Sequence, residues 1–161
     1  IAEHATRRLE QAVLEVVPNG IASAPVTIGG VAMYRVTDSS GALCGWATPA
    51  ESRGFQDKIR LMVGLSKNGD QVTGLTVLES FETPGLGDRI QQREFREQFI
   101  GQSTAQPFAR VKPGESAPAP VHAITGATIS SQAVINAINS QLFVIREELA
   151  ANPDAIAEPK P

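Results

Sequence analysis

The chain has 161 residues, 42% of them hydrophobic and 19% charged, the composition of a globular domain with a core rather than of a disordered segment. A formal net charge of -3, from 14 basic and 17 acidic residues, argues against a nucleic-acid binder that neutralises phosphates, and Arg7-Arg8 is the one adjacent basic pair. A single cysteine, Cys44, and two histidines, His4 and His122, exclude an internal disulfide framework and a cysteine-built metal cage, and one Trp and one Tyr make a base-stacking platform improbable. The sequence has no continuous apolar run of about 18 residues, the minimum for a membrane-spanning helix.

The first element is an amphipathic helix over residues 1–17, with Leu9, Ala12, Val13, Val16 and Val17 on one face and Pro18-Asn19-Gly20 as its stop. Val31–Thr37 and Ala42–Thr48 flank Asp38-Ser39-Ser40-Gly41, a hairpin pattern. A second hairpin follows: Ile59, Leu61, Val63 and Leu65 alternate with Lys58, Arg60, Met62 and Gly64, and Asn68-Gly69 turns the chain into Val72–Ser80. Pro84-Gly85 forces a bend in the loop Glu82-Thr83-Pro84-Gly85-Leu86-Gly87-Asp88. A short helix over Arg93–Ile100 places Phe95 and Phe99 on one side. Residues 101–120 read as an irregular connection with one short strand at Phe108–Val111.

A long helix then begins just after Thr128, with an apolar stripe of Val134, Ile138, Leu142, Ile145 and Leu149. Residues 151–161, with three prolines, read as a flexible tail. The expected fold class is α+β, an antiparallel sheet from two hairpins packed with N-terminal and C-terminal helices, in one domain over residues 1–150.

No local motif for nucleophilic or acid–base catalysis is present. His122 lies near Thr125 and Thr128, but a satisfied loop histidine is the simpler reading, and Cys44 inside a strand reads as a small buried hydrophobe. Pro84-Gly85-Leu86-Gly87 is not a dinucleotide fingerprint. The informative segment is Thr125-Gly126-Ala127-Thr128-Ile129-Ser130-Ser131, in which small residues and hydroxyls crowd the start of a long helix. There, unpaired backbone N–H groups and the helix dipole favour an anion, phosphate above all, although a hydroxyl-rich cap with no ligand satisfies the same pattern.

Thr125-Gly126-Ala127-Thr128 resembles the flavinylation motif, Ser/Thr-Gly-Ala-Thr, of the FMN-binding domain found in the G subunit of the Rnf electron-transport complex and the C subunit of the sodium-pumping NADH:quinone reductase. Glu82-Thr83-Pro84-Gly85-Leu86-Gly87 is similar to that family's flavin-side loop, and Ile59–Leu65 to its central strand. The segments occur in family order over most of the chain, with the Rnf G subunit as the nearer likeness.

The resemblance implies FMN as cofactor, joined by a phosphoester to Thr128, with Thr125, Gly126 and Ala127 around the phosphate. It also implies that Glu82, Thr83, Pro84, Gly85 and Leu86 flank the isoalloxazine, Thr83 by a hydrogen bond and Leu86 by apolar contact. No catalytic or metal-binding residue is implied. The function implied is electron relay without independent turnover, in a subunit of an ion-translocating membrane complex. Its partners would be the other subunits and a flavin transferase, and a single N-terminal anchor would tether the domain on the extracytoplasmic, periplasmic side of the inner membrane. An FMN-binding sensory or regulatory module is the alternative. The chain departs from the family pattern at His122, where an acidic residue is usual, so weaker handling by the transferase is expected.

Overall fold

The computed structural model describes residues 2–156, with side chains from Arg7 onward; His4 and the last part of the expected tail lie outside the described side chains and residues. Helix α1 spans Ala2–Val16. Its Ala12, Val13 and Val16, with Val17, are buried, and Asn19 in the left-handed region turns the chain out of the helix.

Five antiparallel strands follow as a meander, β1 (Ala22–Ile28), β2 (Val31–Thr37), β3 (Leu43–Arg53), β4 (Lys58–Ser66) and β5 (Val72–Glu79), in spatial order β1-β2-β3-β4-β5. The two expected hairpins are its last four strands, and β1 was not anticipated. Pro25 lacks an amide donor and is tolerated because β1 is an edge strand. Gly29 and Gly30, at φ 59 and 86, make the two-residue turn into β2 that residues with a Cβ resist. β3 runs to Arg53, past Pro49, and pairs with β4 along its length, from Gly45↔Ser66 to Arg53↔Lys58.

The period-2 alternation assigns the strands' side chains to two faces. Met33, Trp46, Leu61, Val63, Leu65 and Leu75 point to one face and are covered by helix α3 (Thr128–Ala151), whose Val134, Ile135, Ile138, Leu142, Ile145 and Leu149 are buried against them. Val36, Ala47 and Met62 point to the other face and are covered by α1.

Between β5 and α3 the chain forms a 3-10 turn (Gly87–Gln91), the one-turn helix α2 (Arg93–Arg96) and a parallel pair of two-residue strands, β6 (Ala109–Arg110) and β7 (Pro120–Val121). The expected helix over Arg93–Ile100 is thus shorter, though Phe95 and Phe99 are buried as its pattern requires, and Phe99 meets Phe108 edge-on at 4.9 Å. Asn139 of α3 pins this connection by accepting from Phe108 N–H at 2.8 Å and donating to its carbonyl at 2.9 Å.

Past α3, Pro153–Ala155 forms a 3-10 turn, and Ala155 and Ile156 pack against the main core. No helix among the described residues is long and apolar enough to cross a membrane.

Candidate functional site

Two tight turns meet at the N-terminal end of α3. In the first, Leu86 N–H donates to the Thr83 carbonyl at 3.0 Å, with Pro84 and Gly85 at the corner and Gly85 at φ 76. This is the signature of a type II turn, and the Asp88 carboxylate braces it by accepting from Gly85 N–H at 2.8 Å. In the second, Ala127 N–H donates to the Ile124 carbonyl at 2.9 Å, with Thr125 and Gly126 at the corner and Gly126 at φ 83. The two turns approach closely: a Cβ on Gly126 would lie 3.9 Å from Leu86 Cδ2.

Between them lies a cleft of about 420 Å³ lined by Phe55, Thr83, Leu86, Gly87, Gly126, Ala127, Thr128, Ile129 and Ser130. The size is that of a small-ligand site. A larger groove of about 530 Å³ runs between α1 and the outer part of β4 and β5, lined by Arg8, Glu15, Arg60 and Glu79 among others, and shares no residue with the hydroxyl-rich segment.

Helix α3 opens into this cleft without a cap. Its N-cap position is Ala127, and among the described residues it has no side-chain cap hydrogen bond. The hydroxyl-rich segment therefore does not cap its own helix. Ser131 is buried and faces backward, its Oγ donating to the Ala127 carbonyl at 2.8 Å and accepting from Ile124 N–H at 3.0 Å. Ser130, also buried, donates from Oγ to Glu82 Oε1 at 2.6 Å. Thr125 and Thr128 are exposed. The first-turn N–H groups of a helix have no partner within it, so Thr128, the first residue of α3, stands beside donors and the positive end of the dipole.

Of the residues anticipated from the sequence, the structure brings Thr83, Leu86, Gly126, Ala127 and Thr128 onto one cleft. Pro84 and Gly85 form the corner behind it. Thr125 lies at the opposing corner, its carbonyl accepting from Arg89 Nη1 at 3.4 Å. Glu82 is only 5% exposed and turns inward. Burial alone would raise the pKa of its carboxyl, but hydrogen bonds from Ser130, Gln56 and Phe55 outweigh that and hold it below the ordinary carboxylate range. His122 is exposed, and its backbone N–H and carbonyl are both taken by the Gln98 amide. Phe55, Gly87, Ile129 and Ser130 also line the cleft. The sequence signal for Phe55 is slight, a lone aromatic in the turn between two strands.

The family model of the FMN-binding domain matches residues 54–142. The G subunit of the ion-translocating oxidoreductase complex of Methanosarcina acetivorans is 35% identical over 139 residues, which cover 81% of this chain and 71% of that protein. The G subunit of the Na(+)-translocating ferredoxin:NAD(+) oxidoreductase complex of Acetobacterium woodii is 32% identical over 108 residues, 66% of this chain and 51% of that protein. Among solved structures, NqrC of Shewanella oneidensis superposes with a TM-score of 0.64 at 20% identity, over 91% of this chain and 72% of that one. The C subunit of the Na(+)-translocating NADH-quinone reductase of Parabacteroides distasonis gives 0.68 at 16% identity, over 98% and 94%. At those identities the structural likeness carries the α+β fold alone.

The chain belongs to the FMN-binding domain family, and FMN is its cofactor. The matched residues contain the whole cleft. Its chemistry fits the group: an uncapped helix start and an exposed hydroxyl for a phosphate, apolar side chains for a ring, and the Thr83 hydroxyl for a polar ring edge.

Proposed function

We propose that this domain relays electrons through FMN held in the cleft between the Thr83–Gly87 turn and the start of α3, and that a phosphoester joins the cofactor's phosphate to the Thr128 oxygen. The observation that carries the reading is the position of Thr128, exposed and first in an uncapped helix, on the same cleft as Thr83 and Leu86. FMN supplies the electron chemistry, since it accepts and gives up electrons singly or in pairs.

The chain's own residues hold and orient it. First-turn amides and the dipole of α3 stabilise the phosphate charge by about 0.3–1 kcal/mol. Gly126, in the left-handed region, carries no Cβ to obstruct the approach. Thr125 and Ala127 complete the turn that presents Thr128, as Pro84 and Gly85 complete the turn that presents Thr83 and Leu86. Leu86 and Ile129, 49% and 55% exposed, leave the cleft open at the surface, as a carrier requires if a redox partner is to reach it.

The similar G and C subunits are named as parts of ion-translocating oxidoreductases. The chain spans 71% of the first of these and about half of the second. On that basis we propose that other subunits of such a complex serve as its electron donor and acceptor. A flavin transferase in maturation, an N-terminal membrane anchor and the extracytoplasmic side are proposed on the resemblance of its motifs to the family alone. No turnover of its own is expected.

Thr128→Ala tests the reading. Co-expressed with a flavin transferase, the parent protein should show acid-stable flavin fluorescence on a denaturing gel and the variant none. Fluorescence persisting on the denatured variant overturns the assignment of Thr128.

A further inference from the structure

We propose that Glu82 is a positioning residue that acts through Phe55: its buried carboxylate fastens the Gly54–Asp57 turn so that the Phe55 ring stands as one wall of the FMN cleft. The proposal rests on the reading that this cleft holds FMN. Phe55 is 62% exposed and still lines the cleft, so apolar packing does not hold it there. Its backbone is what is held. Phe55 N–H donates to Glu82 Oε1 at 2.6 Å and Gln56 N–H to Oε2 at 2.8 Å, a two-point grip on consecutive amides.

Oε1 also accepts from Ser130 Oγ at 2.6 Å, so one carboxylate joins the β3–β4 turn, its own loop and the first turn of α3. Side chains are excluded where the joint forms. A Cβ on Gly54 would lie 2.4 Å from Glu82 Oε1, and one on Gly87 would lie 2.5 Å from Ser130 Oγ. A buried carboxylate is costly unless bonded, and charge-assisted bonds of this kind are about twice as strong as neutral ones. The arrangement is therefore a rigid joint beneath the cleft rather than a contact inside it, and Glu82 is absent from the groups that line the cleft. Phe55 adds an aromatic face to the apolar Leu86 and Ile129, the lining a flat conjugated ring requires.

The test uses the flavinylated protein with Phe55→Trp, alone and combined with Glu82→Gln, because an indole in contact with a flavin quenches its emission by electron transfer. At equal flavin occupancy by intact mass, Phe55→Trp should show a severalfold loss of flavin emission, and the double variant should regain most of it. Full emission in Phe55→Trp removes Phe55 from the cleft wall. Equal quenching in the double variant removes Glu82 as its fastening. Failure of the Thr128 reading is distinguished by the gel, where flavin would survive Thr128→Ala.

Hydrogen exchange on flavin-free protein gives an arm that needs no cofactor. The Phe55 and Gln56 amides should exchange about tenfold faster in Glu82→Gln, with β4 amides unchanged, and unaltered exchange overturns the fastening. If Glu82→Gln does not fold, Ser130→Ala, which removes one of the three bonds, is read the same way: partial recovery of emission and faster exchange at Phe55 support the joint, and no change in either overturns it.

Discussion

The two faces of the sheet are closed by opposite means. On the α3 face, large side chains interdigitate: Trp46, Leu61, Leu65, Ile135, Ile138 and Ile145 are each at most 1% exposed. On the α1 face, side chains are missing where the helix comes closest. A Cβ on Gly64 would lie 1.9 Å from the Val16 carbonyl oxygen, and one on Gly74 would lie 2.6 Å from Val16 Cα. Across this flat strip Thr73 donates from Oγ1 to the Val16 carbonyl at 2.7 Å, satisfying a group left unpaired at the helix end. One face is built by filling volume and the other by vacating it, so they should break under substitutions of opposite sign. They also differ in consequence, because α3 carries Thr128 and, among the described residues, none of α1 lines the cleft.

The largest effect is expected from trimming the filled face. Leu61→Ala leaves a cavity beneath α3 and should cost about 2–5 kcal/mol, read as a lower urea midpoint. Enlarging the vacated face comes next. Gly64→Ala forces α1 away from the sheet and should cost about 1–3 kcal/mol. Below its unfolding transition this variant should keep full flavin occupancy, whereas Leu61→Ala loosens the helix that presents Thr128 and should lower occupancy before the domain unfolds. Equal loss of occupancy in both would show that the two faces are not independent.

A smaller effect comes from Glu82, which belongs to neither face but seals the cleft end of the α3 face. Its pKa in the folded protein lies below its ordinary value, because hydrogen bonds from Ser130, Gln56 and Phe55 prevail over burial. The unfolded chain therefore binds the proton more tightly. The stability Glu82 contributes is fully present above its unfolded pKa, near 4.5, and is lost as pH falls through the lower folded value. Denaturant midpoints should fall across that acid window in the parent protein and fall less steeply in Glu82→Gln. Parallel pH profiles would separate Glu82 from the acid sensitivity.

Much of this architecture was legible in the sequence, and the gaps have physical reasons. Alternation in Ile59–Leu65 marked β4, whose Leu61, Val63 and Leu65 face α3 while Met62 faces α1, and the stripe Val134–Leu149 marked α3, which buries that stripe on the sheet. β1 escaped because Pro25 sits in it and four of its seven residues are exposed, although Gly29-Gly30 before Val31 was a usable hairpin signal. The hydroxyl-rich start of α3 was visible, but the division of labour within it was not: Ser130 and Ser131 are spent on buried bonds while Thr125 and Thr128 remain exposed, which depends on contacts made elsewhere. The same holds for Phe55 and Glu82. Their bond spans 27 residues, and a lone aromatic in a turn has no periodicity to betray it.

The smallest effect is expected at Thr83, where one atom changes and no packing does. Its Oγ1 accepts from Gln56 Nε2 at 3.3 Å, a long and exposed bond, so the hydroxyl proton stays available to a ligand in the cleft it lines. Valine keeps the β-branched shape of threonine and removes that donor. The attachment proposed at Thr128, the first residue of α3, should be untouched. A donor to a ring edge that gains negative charge on reduction binds the reduced form more strongly, so its loss should lower the flavin potential. A net hydrogen-bond difference of about 0.5–1.5 kcal/mol corresponds to about 10–30 mV for a two-electron couple. Potentiometry on Thr83→Val at full occupancy should find a shift of that size and sign, with a small displacement of the visible band. An unchanged potential and spectrum would leave the Thr83 turn shaping the cleft without bonding to the ring.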